Sequence, residues 1–516
     1  MAISTAIDVT RVSRVVGYKI KKGFFGITTP YLPQRIAVFG EANTANQATI
    51  TEDAFEFTNA DEVGAKYGYG SPLHQIARIL RPKSGNILGG IPTVIYPQKE
   101  DGTPTVTTIT TSVAFQSGSE ADANESQFLK INGRTSIDGQ SYRMDIVKGD
   151  TNDDIIQKAV DAVNGVIGAP VTAATSGTSG SLDMELTSKW KGLTSADITV
   201  EVEEGDNLAG LTWSPESTRS DGTGAQSVTD SLNKFGDTWN TIVINPYDST
   251  VFTELEDFNG VPDPTTPTGR YQPTIFKPFI AFFGNVDTTQ SAVTAITDAA
   301  ARKDQVTNVM APAPGSAGFK WEAAANMALV TAPIMQNTPH IDNSGKSYFD
   351  MPTATDIGDF GSYDKRDVMV KDGASTVTLK NGKYTIQDSV TTYHPDGESP
   401  PKFRFTRDLN VDWNVGYGWL IIMDRDIQDK AIVANNSPSI VGNTISPKQA
   451  KQLVLSYANQ LAQYALIVDL DFTEESIETG INATNPGRLD IFFKYKRTST
   501  AHQVSTDATV DFFFSS

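Results

Sequence analysis

Short, uninterrupted apolar runs recur along this chain: Ile36-Ala-Val-Phe39, Thr93-Val-Ile-Tyr96, Thr241-Ile-Val-Ile244, Phe279-Ile-Ala-Phe-Phe283 and Val306 to Met310. Runs of this length without alternation suit strands of a sheet covered on both faces. Helical periods lie between them. Ser71-Pro72 supplies an N-cap and a first-turn proline ahead of Leu73, Ile76, Ala77 and Leu80, spaced as one helical face. Asp287 or Thr288 can cap a second helix through Val293, Ile296 and Ala300, and Trp321 to Val330 forms a third. Strands alternating with helices predict crossover connections and a largely parallel sheet.

The alternation breaks between about 99 and 228, a segment flanked by Ser-, Thr- and Gly-rich stretches. Inside it, Phe128 to Ile131, Tyr142 to Val147, Leu182 to Leu186 and Ile198 to Val202 read as strands. Thr151 to Gly165 reads as a capped helix with Ile155, Ile156, Ala159, Val160 and Val163 on one side. This pattern predicts a small α+β domain inserted in a surface loop, where extra chain adds little closure entropy. From 363 to 393 the pattern turns antiparallel. Thr376 to Lys380, Asn381-Gly382 and Lys383 to Gln387 predict a hairpin with a type I′ turn. Ser446-Pro447 starts a helix whose apolar face runs through Ala450, Leu453, Val454, Tyr457, Leu461, Tyr464, Ala465 and Val468. The expected fold class is therefore mixed α/β and α+β. A split α/β core sheet (25–98 with 229–362) carries the insert (99–228), a C-terminal α+β domain (363–497) and strand-like terminal arms (1–24 and 498–516).

Both ends have strand character. Val504, Thr506, Ala508, Val510, Phe512 and Phe514 share one face of an alternating run, and Leu489 to Arg497 reads as another strand. Near the N-terminus Ile7 and Val9, then Val12, Val16, Tyr18 and Ile20, fall in register. Bare apolar strands in water invite pairing. The arms either fold back on their own subunit or are donated to another, with 489–497 as one receptor.

Charge sharpens this picture. The 516 residues carry a formal net charge of −19, which argues against duplex nucleic acid as the main partner. Residues 1–35 nevertheless have a net +5, whereas residues 99–230 hold nine basic and twenty-one acidic side chains, a net −12. A basic arm on an acidic body can bind another copy of itself. The acid of 99–228 suits an outward, solubilising surface whose replacement by a short Gly/Ser linker is expected to preserve polymerisation. The absence of Cys excludes a disulfide scaffold, a thiolate zinc site and a Cys nucleophile. No apolar stretch approaches the length that spans a bilayer. Met1 to Asp8 lacks a signal peptide's charged and apolar regions. The expectation is a soluble product, made in a cytoplasm, with no cofactor.

Candidate chemistry is sparse. His74, His340, His394 and His502 are scattered without ligand-type neighbours and are expected in surface or turn positions. Ser344-Gly-Lys-Ser347 lacks the first glycine of a phosphate loop, because His340 stands there. Gly68-Tyr-Gly70 lacks the third glycine of a dinucleotide motif, its place taken by Leu73. Paired carboxylates cannot be singled out by spacing, which leaves a carbohydrate-active enzyme as an unsupported alternative.

Read in order, several motifs resemble contractile tail sheath proteins of myovirus-type bacteriophages. They are Arg35-Ile-Ala-Val-Phe-Gly40, Phe57-Thr-Asn-Ala-Asp-Glu-Val63, Tyr67-Gly-Tyr-Gly-Ser-Pro-Leu73, Asp248 to Phe258, Ser389-Val-Thr-Thr-Tyr393, Phe403 to Leu409, Asp424 to Lys430 and Arg488 to Phe493. Asn132-Gly133, Gly149-Asp-Thr151 and Lys189-Trp-Lys-Gly192 are similar to the Mu-like branch. The resemblance implies a non-enzymatic virion subunit that stacks as hexameric rings around a tail tube. Baseplate and tail terminator proteins are its further partners, with no direct nucleic acid or membrane contact. Contraction would drive the tube through a bacterial envelope. A static shell or tube protein is the structural alternative. In related sheaths the innermost C-terminal part faces the tube, which marks Lys448 and Lys451 as tube-facing candidates. Strand exchange between subunits would then use Ile7, Val9, Val12, Val16, Tyr18, Leu489, Ile491, Phe493, Val510, Phe512 and Phe514.

Overall fold

A computed structural model describes residues 31–51, 53–99, 104–438 and 442–510. The chain opens with β1 (Ile36–Glu41), the short β2 (Phe55–Glu56), helices α1 (Ala60–Tyr67) and α2 (Pro72–Leu80), and β3 (Thr93–Gln98). The insert follows as β4 (Val106–Phe115), β5 (Glu125–Ile131), β6 (Ser136–Ile137), β7 (Gln140–Ser141), β8 (Arg143–Ile146), α3 (Asn152–Asn164), β9 (Val171–Thr178), β10 (Ser181–Lys191), β11 (Val200–Glu203) and β12 (Leu211–Ser220). The core resumes with α4 (Thr229–Asn233), β13 (Ile242–Asn245), α5 (Phe252–Asn259), β14 (Ile280–Asn285), α6 (Gln290–Thr297), β15 (Asn308–Pro312) and α7 (Lys320–Asn337).

The core sheet has the order β15-β14-β13-β1-β3-β2, parallel except for β2 at the edge. The apolar runs do not alternate because both faces are covered. Ile36 and Val38 pack with residues of α2 and α7, while Ala37 and Phe39 enter a second core with Phe235, Leu255 and Phe279. Ser71 caps α2 as the sequence indicates, accepting from the His74 amide at 3.2 Å. Other boundaries move. β15 begins at Asn308 rather than Val306, and α7 continues past Pro333 to Asn337. α6 begins at Gln290, whose amide is taken by the distant Asp359 carboxylate at 2.8 Å, so neither Asp287 nor Thr288 is its cap.

The insert pairs its strands only with one another, in sheets β12-β4-β10-β9 and β11-β5-β8 and the β6-β7 hairpin. Its side chains are nevertheless continuous with the main core. Trp190 lies edge-on to Phe319 and Trp321 at 6.0 and 6.1 Å, and those two rings stack at 4.3 Å. The Trp190 indole donates to Thr194, whose hydroxyl donates to Glu41 at the end of β1. Arg134 reaches Asp350 at 2.6 Å and Glu322 at 3.1 Å. Burial alone would lower the Arg134 pKa, but the two carboxylates hold it above its ordinary value. These contacts bear on the expectation that a Gly/Ser linker in place of the insert preserves polymerisation. Its removal would uncover the aromatic stack and strand Glu322, whose side chain is 1% exposed.

The C-terminal region runs through α8 (Tyr363–Lys371), the hairpin β16 (Thr376–Lys380) and β17 (Lys383–Asp388), α9 (Thr406–Asp426), β18 (Ala431–Ile432) and β19 (Thr444–Ile445). It ends with α10 (Pro447–Gln463), β20 (Ile467–Val468), α11 (Leu470–Ser476), β21 (Glu478–Ile481), β22 (Leu489–Phe492) and β23 (Lys496–Arg497). The antiparallel pattern thus begins at Thr376, after a helix, rather than at 363. Asn381 and Gly382 both take positive φ, 52° and 68°, as a type I′ turn requires. Two of the histidines expected at the surface are buried. His74 accepts from the Gly70 amide, and burial drives its pKa down to about 3. His394 bonds the Thr392 carbonyl and Asp298.

Candidate assembly surfaces

A local core holds the C-terminal region together. Val411, Val415 and Ile422 of α9 pack against Tyr457, Ala458 and Leu461 of α10, with Leu466 and Ile467 beyond. The close approach depends on Gly418: a Cβ there would sit 2.4 Å from the Tyr457 hydroxyl, which donates to the Val415 carbonyl at 2.8 Å. Ser446 and Gln449 form a reciprocal capping box at the start of α10. The helix stops five residues before Val468. Ala465 is left-handed at φ 55°, and the Leu466 amide closes back on the Leu461 carbonyl at 2.9 Å. Val468 consequently leaves the predicted face and is exposed.

Both ends of the described chain converge here. At one end Tyr31 meets Tyr464 edge-on at 5.5 Å, and the Leu32 amide donates to Asn414 of α9 at 2.6 Å. Tyr31 and Leu32 thus sit against the α9–α10 pair; Ile7, Val9, Val12, Val16 and Tyr18 lie outside the described residues. At the other end Arg407 of α9 binds Thr498, and His502 stacks on Phe405 at 4.3 Å. Residues 501–510 are all exposed, and 503–510 form no strand, hydrogen bond or ring contact among the described residues. Val504 is 84% exposed and Val510 76%. The described arm is thus held to its own subunit through Thr498 and His502 and is exposed from 503 to 510. Phe512 and Phe514 lie outside the described residues.

The receptor segment 489–497 is two strands, not one. β22 pairs with β21, and β23 pairs with β20. The break falls at Phe493 to Tyr495, where Phe493 turns to Trp419 (5.6 Å) and the Tyr495 hydroxyl donates to Asp412 (2.9 Å). Side-chain demands of α9 thus override the β pattern. Burial raises the Asp412 pKa to about 6 against the opposing pull of Arg497, 3.2 Å away. Leu489 and Ile491 are half-buried, and Thr479 of β21 donates to the Pro447 carbonyl, seating the hairpin on the start of α10. Each of these two-stranded sheets leaves an edge of every strand without a named partner strand among the described residues. Phe492 (50% exposed) and Ile481 (38%) are solvent-facing on the β21–β22 hairpin.

Lys448 is exposed and Lys451 half-buried in the first turns of α10, and neither has an ion-pair partner among the described residues. Lys448 borders a shallow depression of about 420 Å³ shared with Lys430 and Asp426. Lys430 was not singled out by the sequence, because it lies on a different element from α10.

The remaining perturbed groups are tied into packing. Burial raises Glu256 to about 7, where it meets Arg302 and Asn308, and raises Asp248 to about 6 beside Lys320. Among the described residues no group of three or more His, Cys, Asp or Glu is placed to hold a metal ion, and no helix is long and apolar enough to cross a membrane.

No protein-family model matches the chain, and no curated protein matches it. Three solved structures are similar. A sheath tail protein from Desulfitobacterium hafniense is 11% identical, with a TM-score of 0.45 over 94% of this chain and 100% of that one. A sheath tail protein from Listeria innocua is 12% identical, with a TM-score of 0.39 over 90% of this chain and 95% of that one. The contracted-state PVC sheath complex of an extracellular contractile injection system is 12% identical, with a TM-score of 0.35 over 46% of this chain and 66% of its own.

Proposed function

We propose that this chain is the structural subunit of a contractile phage tail sheath, of the Mu-like branch. It polymerises in stacked hexameric rings around a tail tube and contracts to drive that tube through the bacterial envelope. The observation that carries the reading is the convergence of both ends of the described chain on one region built of two-stranded sheets. The ordered motifs from Arg35-Ile-Ala-Val-Phe-Gly40 to Arg488-Leu-Asp-Ile-Phe-Phe493 support it independently. The arms at 1–24 and 498–516 pair with strands of neighbouring subunits, β22 and β23 among the receptors. Main-chain pairing fixes connectivity while the rest of each subunit rotates. The α/β core (25–98 with 229–362) and the C-terminal domain (363–497) form the wall, the acidic 99–228 faces outward, and Lys448 and Lys451 face the tube. Assembly takes place in the host cytoplasm, with the tube, baseplate and terminator proteins as partners, and the subunit is not an enzyme.

Electron microscopy of the purified protein tests this reading. The expected result is long striated tubes with two distinct diameters for one sequence. A single invariant diameter points to a static shell or tube, and discrete particles that hydrolyse a glycan would overturn the reading. Deleting 504–516 should leave a folded monomer unable to polymerise.

A further inference from the structure

A groove of about 280 Å³ lies between the α/β core and the C-terminal region, beside the break between β22 and β23. Its walls are largely aromatic: Tyr271 and Phe276 come from the core side, Trp419, Phe493 and Tyr495 from the other. The charged group in its lining, Asp412, is already engaged by the Tyr495 hydroxyl and Arg497. An apolar cavity of about 150 Å³ accommodates benzene, so this space suits one or two phenyl rings.

The chain's own C-terminus carries such rings. Among the described residues the last ring contact with the body is His502 on Phe405, two residues from Phe403 in the groove lining. Residues 503–510 are exposed and form no hydrogen bond or ring contact among the described residues, and the sequence continues Asp511-Phe-Phe-Phe-Ser-Ser516. Ten residues from His502 to Phe512 reach about 33 Å when extended, enough to enter an adjacent subunit. Phe512 and Phe514 share one face of an extended chain. Charge agrees with this placement. Asp507 and Asp511 precede the rings, while exposed Lys402 and Lys494 adjoin Phe403 and Phe493 of the groove.

We propose that this groove is the socket for Phe512 and Phe514 of a second copy of the chain. A neighbouring copy is the occupant because residues 503–510, beyond the His502 contact, are exposed and form no hydrogen bond, ion pair or ring contact with their own body among the described residues. The inference rests on the strand-donation reading and adds to it a side-chain anchor. Strands next to the groove fix register, and the rings supply most of the apolar burial.

The natural chain has no Cys, so a full-length Ser515→Cys, Lys494→Cys variant gives an unambiguous cross-link. Oxidised polymers of this variant should yield a disulfide-linked ladder of multimers that neither single variant yields. A compact, fast-migrating monomer would place the arm on its own subunit and overturn the proposal, as would the absence of any cross-link. Separately, a full-length Phe512→Ser, Phe514→Ser variant should need at least about tenfold more protein to polymerise. Polymerisation at the natural concentration overturns the socket while leaving strand donation standing. If the 504–516 deletion also polymerises normally, strand donation falls with it.

Discussion

The insert and the C-terminal region are both additions to one parallel sheet, and they are attached in opposite ways. The insert builds a four-stranded and a three-stranded sheet from its own strands and plugs Trp190 and Arg134 into the core beneath it. The C-terminal region roots α9 in that core through Leu409 and Trp413, but builds the rest around a small core of its own. Its sheets stop at two strands, and it receives both ends of the described chain. An added segment with buried anchors serves the stability of the subunit that carries it. One made of two-stranded sheets beside an aromatic groove offers contacts for another chain to complete. Electrostatics follows the same division: the insert combines a net acidic surface with buried, paired charges, whereas Lys448 and Lys451 are left without ionic partners among the described residues.

The harshest way to break this comparison is to remove each addition. Replacing 99–228 by a Gly/Ser linker should abolish cooperative unfolding of a native subunit, because Phe319, Trp321 and Glu322 lose their cover together. Deleting 504–516 should leave the thermal midpoint of the monomer within about 1 °C of the parent, since 504–510 bury nothing. Calorimetry on the two variants checks both. A stable, soluble linker variant would mean that the insert is decoration after all.

A smaller perturbation isolates one anchor. Arg134→Met removes the cation from Glu322 and should cost about 3–5 kcal/mol at neutral pH. Burial already raises the Glu322 pKa, and Arg134 is the main opposing influence. With Arg134 gone the folded-state pKa rises further above the unfolded value. The folded state then holds the proton more tightly, so the variant is most stable below the ordinary carboxylate range and loses stability as pH rises from there toward the raised folded-state pKa. Denaturant titrations at pH 5 and pH 8 should show a wider gap for the variant than for the parent. Adding Glu322→Gln should restore most of the loss and remove the extra pH dependence.

How far these differences were legible depended on how local their causes are. The strands of the core sheet, Ser71-Pro72, Thr151, Ser446-Pro447 and Asn381-Gly382 act through neighbouring residues, and each produces the feature its pattern indicates. The misses have remote causes. α6 is capped by Asp359, α10 is ended by a left-handed Ala465, and the expected 489–497 strand is broken by demands of Trp419 and Asp412. Acidic composition suggested a detachable insert, because composition reports the surface and says nothing of where Trp190 points. The groove was likewise invisible: its aromatics come from four separated stretches between Tyr271 and Tyr495.

Within the C-terminal region the comparison can be sharpened at Gly418. Gly418→Ala would force the Tyr457 hydroxyl away from the Val415 carbonyl and should cost about 1–3 kcal/mol. Because that core is separate, the loss should appear as faster amide exchange in α9 and α10 with protection of the parallel sheet unchanged. Uniform loss of protection across the chain would show that the two regions unfold as one unit.

The smallest effect on the subunit belongs to the pair Lys448 and Lys451. Cations in the first turns of α10 oppose the helix dipole by about 0.3–1 kcal/mol each. The cap of that helix is already complete in Ser446 and Gln449, so helix stability gives no reason for either lysine. Changing both to Glu reverses the sign of the dipole interaction and should raise the stability of the isolated subunit by about 1 kcal/mol. It should leave tubeless polymers intact, because the change leaves β21, β22 and β23 untouched. Assembly in the extended state around the tube should nevertheless fail if these lysines meet acidic groups there. Each exposed pair is weak, but the same contact recurs in every subunit and so sets register while remaining breakable. The informative result is the combination: a more stable subunit, normal empty polymers and no extended tails. Normal extended tails from the Lys448→Glu, Lys451→Glu variant would reject the tube-facing role.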